Sequence, residues 1–178
     1  MNHPFSHVTP YDQETGDVNV VIDTPKGSRN KYSLDEQLGL FQLTGVLAAG
    51  HVFPYDFGFI PNTLGGDGDP VDVLVLMDEA AFTGCLVRAR LIGVITAEQT
   101  ERQGQTEGND RLIAVAAKSP AHASIKSLDD LDPVLMDQIE HFFVSYNEAK
   151  GKTFKPLGRF GPDKARTIVD RAIGDAKD

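Results

Sequence analysis

Hydrophobic and polar positions change period along the chain. From Val18 to Pro25 the run VNVVIDTP is β-branched and apolar, PKGSRN supplies turn residues, and KYSLD resumes an alternating pattern, so two paired strands are predicted. LFQLTGV, from Leu40 to Val46, alternates again and is punctuated by Gly39 and Gly45 as a third strand. HVFPYDFGFIP, from His51 to Pro61, mixes aromatics, prolines and glycine, a composition that predicts a packed loop walling a cleft. After the turn GGDGDP, the unbroken apolar run VDVLVLM fits a strand covered on both faces. The next long β segment is Cys85 to Ile95, with Cys85 at a buried strand position. The polar stretch from Thr96 to Asn109 predicts a hairpin with a long tip before DRLIAVAAKS returns to strand character.

The last third takes a helical period. Leu135, Ile139, Phe142, Tyr146 and Ala149 fall on one face, with Asp132-Pro133 at the start and Gly151 past the end. A second helix starts at Pro162, carries Ala165, Ile168, Val169 and Ala172 on one face, and frays toward Asp178. Short strands first and helices last, without βαβ alternation, predict a mainly β (α+β) fold: a small closed or partly closed barrel with helices packed outside. The 178 residues suit one domain spanning 1–178, at 40% hydrophobic and 24% charged.

Charge narrows the partners. A formal net charge of -9 and a pI near 4.9 argue against nucleic acid, whose binders carry stripes of Lys and Arg. A small polyanion stays compatible, because local cations or a bound metal outweigh net charge within a Debye length of about 8 Å. No apolar run approaches the roughly 20 residues of a membrane span, and MNHPFSHVTPYDQETGD lacks the charged start and apolar core of a signal peptide, so a cytoplasmic protein is expected.

The chemistry concentrates in GGDGDPVD. Asp67, Asp69 and Asp72 lie within six residues, and Gly68 and Pro70 turn the chain so that three carboxylates converge at the mouth of a strand. Their mutual repulsion destabilises the fold unless a cation sits among them. Oxygen-only ligands suit magnesium, manganese or calcium, not zinc. An EF-hand is excluded: counting from Asp67, the sixth position is Asp72 where glycine is required, and helices do not flank it. The alternative is that Asp67 and Asp69 are turn formers and Asp72 a solvated strand start; the position of Asp72 directly before VLVLM favours metal binding over it.

DGDPVDVLVL resembles the signature of the soluble family I inorganic pyrophosphatases, and the similarity runs from about Val20 to Gly151 through VVIDTP, Lys31-Tyr32, Leu40-Phe41, FPYDFGFIPNT, RLIGVI and IEHFFVSYN. The resemblance implies a five-stranded OB-like barrel with flanking C-terminal helices, hydrolysis of pyrophosphate to two phosphates, Mg2+ (or Mn2+) as cofactor, and a homo-oligomer, commonly a hexamer in bacterial relatives. It implies Asp67, Asp69 and Asp72 as metal ligands, with Asp69 taking the proton of the attacking water. Asp23, a further candidate metal ligand, stands where the family commonly has glutamate. Lys31, Tyr146 and Arg111 match phosphate-contacting positions, arginine replacing the usual lysine at 111. Ser33, Thr44, Asn147, Phe53 and Phe57 replace a glutamate, an arginine, a lysine and two tyrosines. Of the hairpin carboxylates Asp110, Glu98, Glu101 and Glu107, Asp110 first and Glu98 second are the expected further metal ligands, and Arg29 and Arg159 are candidate replacements for the lost cations. Two other classes stay open beside the pyrophosphatase: a phosphohydrolase acting on another small phosphoester or anhydride, and a non-catalytic relative that binds metal or phosphate.

Overall fold

The computed structural model describes residues 4–177; Asp178 lies outside them. In chain order the strands are β1 (Val18–Thr24), β2 (Asn30–Asp35), β3 (Leu40–Val46), β4 (Asp56–Phe59), β5 (Asp72–Leu76), β6 (Leu86–Thr100), β7 (Thr106–Gly108), β8 (Arg111–Ala116) and β9 (Thr153–Phe160). Helix α1 spans Pro133–Glu148 and α2 spans Pro162–Asp175. Strands β1, β4, β5, β8 and β6 hydrogen-bond in that order, and β6 pairs again with β1, closing a five-stranded ring. Closure leaves none of the five as a free edge. Every pairing in the ring is antiparallel except β5 with β8, which is parallel.

Strand alternation sorts the apolar residues into two clusters. Leu74, Leu76, Ile113 and Val115 join Ile139, Phe142 and Phe143 of α1, whereas Val73, Val75, Leu112 and Ala114 join Ala165, Val169 and Ala172 of α2. Strands β5 and β8 are thus packed on both faces, which is why their sequences read as unbroken apolar runs. Each fully buried residue such as Ile92 or Phe143 contributes about 1.5–3 kcal/mol. Asp132 caps α1 by accepting from the Val134 amide at 2.8 Å, Pro133 fills the first turn, and Gly151 follows the helix at φ 73°. No helix among the described residues is long and apolar enough to cross a membrane.

Several local expectations are corrected. Strand β2 pairs with β3 in a separate two-stranded sheet, not with β1. It is tied to β1 through side chains: the Tyr32 amide donates to Thr24 Oγ1 at 3.1 Å, and Lys31 reaches Asp23. The aromatic loop contains β4, because Gly58 lets its backbone press against β1; a Cβ there would stand 2.2 Å from the Val21 carbonyl oxygen. The polar stretch from Thr96 is largely strand, with the turn confined to the 101–105 segment, where the Glu101 amide donates to the Gln105 carbonyl at 2.7 Å. That extension of β6 is paired by β9, which sequence reading misses because Pro156 and Gly158 interrupt it; Pro156 sits where the register shifts between Thr96 and Ala97. Cys85 precedes β6 and is only half-buried.

The Gly58 contact makes ring closure testable. Gly58→Ala is expected to cost about 3 kcal/mol or more, since backbone atoms of β1 must move. Gly45→Ala, whose added Cβ meets nothing within 4 Å, should stay within about 0.5 kcal/mol of wild type in urea unfolding. Equal midpoints for the two variants would refute the close β1–β4 approach.

Candidate active site

A cavity of about 290 Å³ opens where β5 and β8 begin. Their parallel register sets Val73 beside Leu112, so the residues one step earlier, Asp72 and Arg111, face each other, and Arg111 Nη1 donates to Asp72 Oδ2. Burial pushes the Asp72 carboxyl up to about 6, against the opposing pull of Arg111 and Lys31. Arg111 Nη1 also donates to Asn109 Oδ1 at 2.5 Å. From there the chain continues through Asn109 Nδ2 to Gln99 Oε1 (3.0 Å), Gln99 Nε2 to Glu101 Oε1 (2.7 Å) and Lys152 Nζ to Glu101 Oε2 (2.9 Å). One polar chain therefore crosses the cavity wall from β5 to the start of β9.

On the opposite side the end of β1 supplies Asp23 and β2 supplies Lys31, whose Nζ lies 2.8 Å from Asp23 Oδ1. Both side chains are largely buried, at 8% and 13% exposure, and burial raises the Asp23 carboxyl despite the lysine. Phe53 and Phe57, ring centroids 5.4 Å apart, close the cavity between these walls. The Lys31 ammonium stands 4.8 Å from the Phe57 ring centre, and the Arg111 guanidinium lies 5.4 Å from Phe143 and 5.6 Å from Phe154. Tyr146, on α1, stacks on Phe142 at 5.7 Å, and burial pushes its hydroxyl up to about 12, so it stays a proton donor at neutral pH.

The turn before β5 brings Asp67 and Asp69 to the same cavity, with the Asp69 amide donating to Asp67 Oδ1 at 3.2 Å. The Asp69 carboxyl is raised by burial and by the neighbouring charges of Asp67 and Glu36. Carboxylate oxygens without nitrogen or sulfur donors fit a hard divalent cation, and Asp72 is a desolvated carboxylate that such a cation would stabilise. Among the described residues no three acidic, histidine or cysteine side chains already form a metal cage, so Asp72 would have to turn from Arg111 toward Asp67 and Asp69.

The structure thus brings Asp23, Lys31, Asp67, Asp69, Asp72, Arg111 and Tyr146 to one cavity. It does not bring the other candidates there. Glu98 is exposed on β6, and Asp110 accepts from the Ala97 amide at 3.1 Å and lines a neighbouring cavity. The side chains that face the site are Gln99 and Asn109, one residue away in each case, because alternation along an extended chain reverses the face at each step. Arg29 Nε donates to the Leu47 carbonyl at 2.9 Å and its side chain is not on the cavity wall. Arg159 is held on α1 by Glu140 (2.7 Å) and Asp137 (2.6 Å). Ser33 and Asn147 do reach the cavity wall, but Ser33 engages Thr44 across β2 and β3 at 3.1 Å, and buried Asn147 donates to the Phe143 carbonyl at 2.8 Å. Sequence reasoning missed Lys150 and Lys152, which both line the cavity; the signal was the basic stretch KGK just past the end of α1.

Fold and cavity together define a class: a small closed β-barrel carrying a cleft lined by carboxylates and cations at once. The profile of the family described as inorganic pyrophosphatase matches residues 20–177. An inorganic pyrophosphatase of Nostoc sp. is 38% identical over 92% of this chain and 94% of its own, and one of Corynebacterium efficiens is 43% identical over 88% and 96%. The solved inorganic pyrophosphatase of Helicobacter pylori superposes with a TM-score of 0.85 at 36% identity (94% of this chain, 98% of that one). That of Thermus thermophilus gives 0.86 at 33% (96% and 97%). The chain belongs to the inorganic pyrophosphatase family.

The Asp23–Lys31 pair is expected to behave as a buried unit. Lys31→Met, which leaves a desolvated carboxylate, should cost about 3 kcal/mol, and adding Asp23→Asn should restore part of it. Chemical denaturation of the two single variants and the double variant measures the coupling; strictly additive losses would show that the pair does not act together.

Proposed function

We propose that the chain hydrolyses inorganic pyrophosphate to two phosphates and requires magnesium or a similar hard divalent cation. The observation that carries this reading is the meeting of five carboxylates (Asp23, Glu36, Asp67, Asp69, Asp72) and four cations (Lys31, Arg111, Lys150, Lys152) on one cavity. Carboxylates alone would repel a polyanion, and cations alone would not hold a metal. Their combination suits a metal-complexed diphosphate. Asp67, Asp69 and Asp72 are the residues to hold the cation, which supplies Lewis acidity sufficient to ionise water near neutral pH.

In this reading Asp69 accepts the proton of the attacking water, whose oxygen bonds to one phosphorus as the bridging P–O bond breaks. Lys31 and Arg111 neutralise the departing phosphate, and the Tyr146 hydroxyl donates to a phosphate oxygen. Arg111 Nε is buried with no hydrogen-bond partner, a donor that a bound anion would satisfy. We also infer self-association, supported by exposed Leu38, Leu40, Leu43 and Val46 along the β2–β3 hairpin. A second reading, hydrolysis of a different small phosphate compound, is favoured by one feature: a further cavity of about 390 Å³, with Thr44 in its wall, adjoins the first at Lys31, Tyr146 and Lys150.

Phosphate release from pyrophosphate is expected with magnesium and not with a chelator present. Asp69→Asn should lower turnover by about 10²-fold or more at matched folded concentration. Folded wild-type protein that releases no phosphate with magnesium, manganese or cobalt would sink the reading. A panel of phosphoesters and longer polyphosphates would then test the second.

A further inference from the structure

Three of the four cations on the cavity already hold a carboxylate. Lys31 pairs with Asp23 at 2.8 Å, Lys152 with Glu101 at 2.9 Å, and Arg111 with Asp72. Lys150 differs: among the described residues its ammonium has no carboxylate partner, and its hydrogen bond goes to the Tyr146 hydroxyl. The same Nζ stands 4.1 Å from the centre of the Tyr146 ring.

Its position is fixed by the backbone on both sides. The Lys150 amide donates to the Asn147 carbonyl at 2.9 Å, its own carbonyl accepts from Arg102 Nε at 2.6 Å, and the Lys152 amide returns to Asn147 at 3.0 Å. Gly151, at φ 73°, makes that tight return possible. Lys150 thereby joins the walls of both the main cavity and its neighbour, with Lys31 and Tyr146. Asn147, one turn earlier, is no substitute, because its amide is buried and committed to Phe143.

The energetics agree with that placement. Desolvation, then the charges of Lys31, Lys152 and Arg111, bring the Lys150 ammonium down to about 8. A positive charge crowded by three others, and offset only in part by the Glu101 carboxylate, is stabilised when a further anion arrives. A lysine just past a helix end also interacts with the helix dipole, and that role alone would touch stability without touching a ligand.

We propose that Lys150 is a substrate-binding residue, gripping a phosphate oxygen at the junction of the two cavities beside Lys31 and the Tyr146 hydroxyl. It supplies the neutralising charge that the carboxylate-paired cations cannot supply in full. The inference rests on the cavity being a phosphate site, and its test separates the two claims.

Binding of inorganic phosphate and of the non-hydrolysable methylenediphosphonate is measured by calorimetry, with and without magnesium, for wild type, Lys150→Met and Lys150→Arg, alongside pyrophosphate turnover. Lys150→Met should weaken both anions, and raise KM, by about tenfold or more, while Lys150→Arg keeps most of the affinity. The ligand-free unfolding temperature should move by no more than about 2 °C. If Lys150→Met folds poorly, Lys150→Gln replaces it. Unchanged anion affinity and KM in the neutral variant would overturn the proposal and leave the hydrolase reading intact. Lys150-dependent binding of methylenediphosphonate by a wild type that cleaves no pyrophosphate would support the proposal and remove the hydrolase reading. A wild type that binds neither anion would overturn both.

Discussion

The parallel pairing of β5 with β8 is the constraint on which the site depends. Parallel neighbours cannot be joined by a tight turn, so the chain must travel away and return. Here the route passes through β6 and β7, and β6 is the strand that closes the ring against β1. The same pairing makes β5 and β8 start at one end of the barrel, which brings the carboxylate of Asp72 and the guanidinium of Arg111 into contact. A slip of one residue would turn Asp110 inward and Arg111 outward, reversing the charge of that wall. Fold and site electrostatics are thus set by one register.

Desolvation then strengthens every charge in the cleft. Phe53, Phe57, Phe143 and Phe154 surround Lys31 and Arg111, so the effective dielectric is low and ion pairs are strong. The same burial disfavours isolated charge, as the raised Asp23 and Asp72 carboxyls show. The site settles this conflict internally, Asp23 with Lys31 and Asp72 with Arg111. Phenylalanines at 53 and 57 fit that solution, since they pack between the ion pairs without adding a hydroxyl that would itself need a partner.

Much of this was legible from the chain. The helices declare themselves by period and by Asp132-Pro133, Gly151 and Pro162, all local signals. Strand β5 and its leading carboxylates are visible because an apolar run that opens on an aspartate marks where a buried strand emerges at a polar cleft. The misses share a cause, which is that they depend on partners distant in sequence. Strand β9 carries a proline and is defined by the extension of β6, and β4 depends on Gly58 meeting β1. The expected β1–β2 hairpin fails because β3 offers β2 a full ladder, leaving only side-chain ties to Thr24 and Asp23. Glu98 and Asp110 carry a ligand's chemistry, but alternation turns both away from the main cavity, Asp110 toward its neighbour, since composition carries no phase.

That phase has a consequence for how the cleft divides its work. The inward positions on β6 and before β8 are amides, Gln99 and Asn109, while the carboxylates come from the end of β1, from Glu36 after β2, and from the turn before β5 and its first residue. Amides donate and accept without net charge, so the chain from Arg111 through Asn109 and Gln99 to Glu101 orients donors without competing for a cation. On the proposed function, a hard cation is drawn to the Asp67–Asp72 side and the substrate's phosphates to the side of Lys31, Tyr146 and Arg111. Asp72 and Arg111, paired with each other across the start of β5 and β8, stand at the boundary between those two sides, so the neutral amide chain is what keeps them apart from the remaining cations.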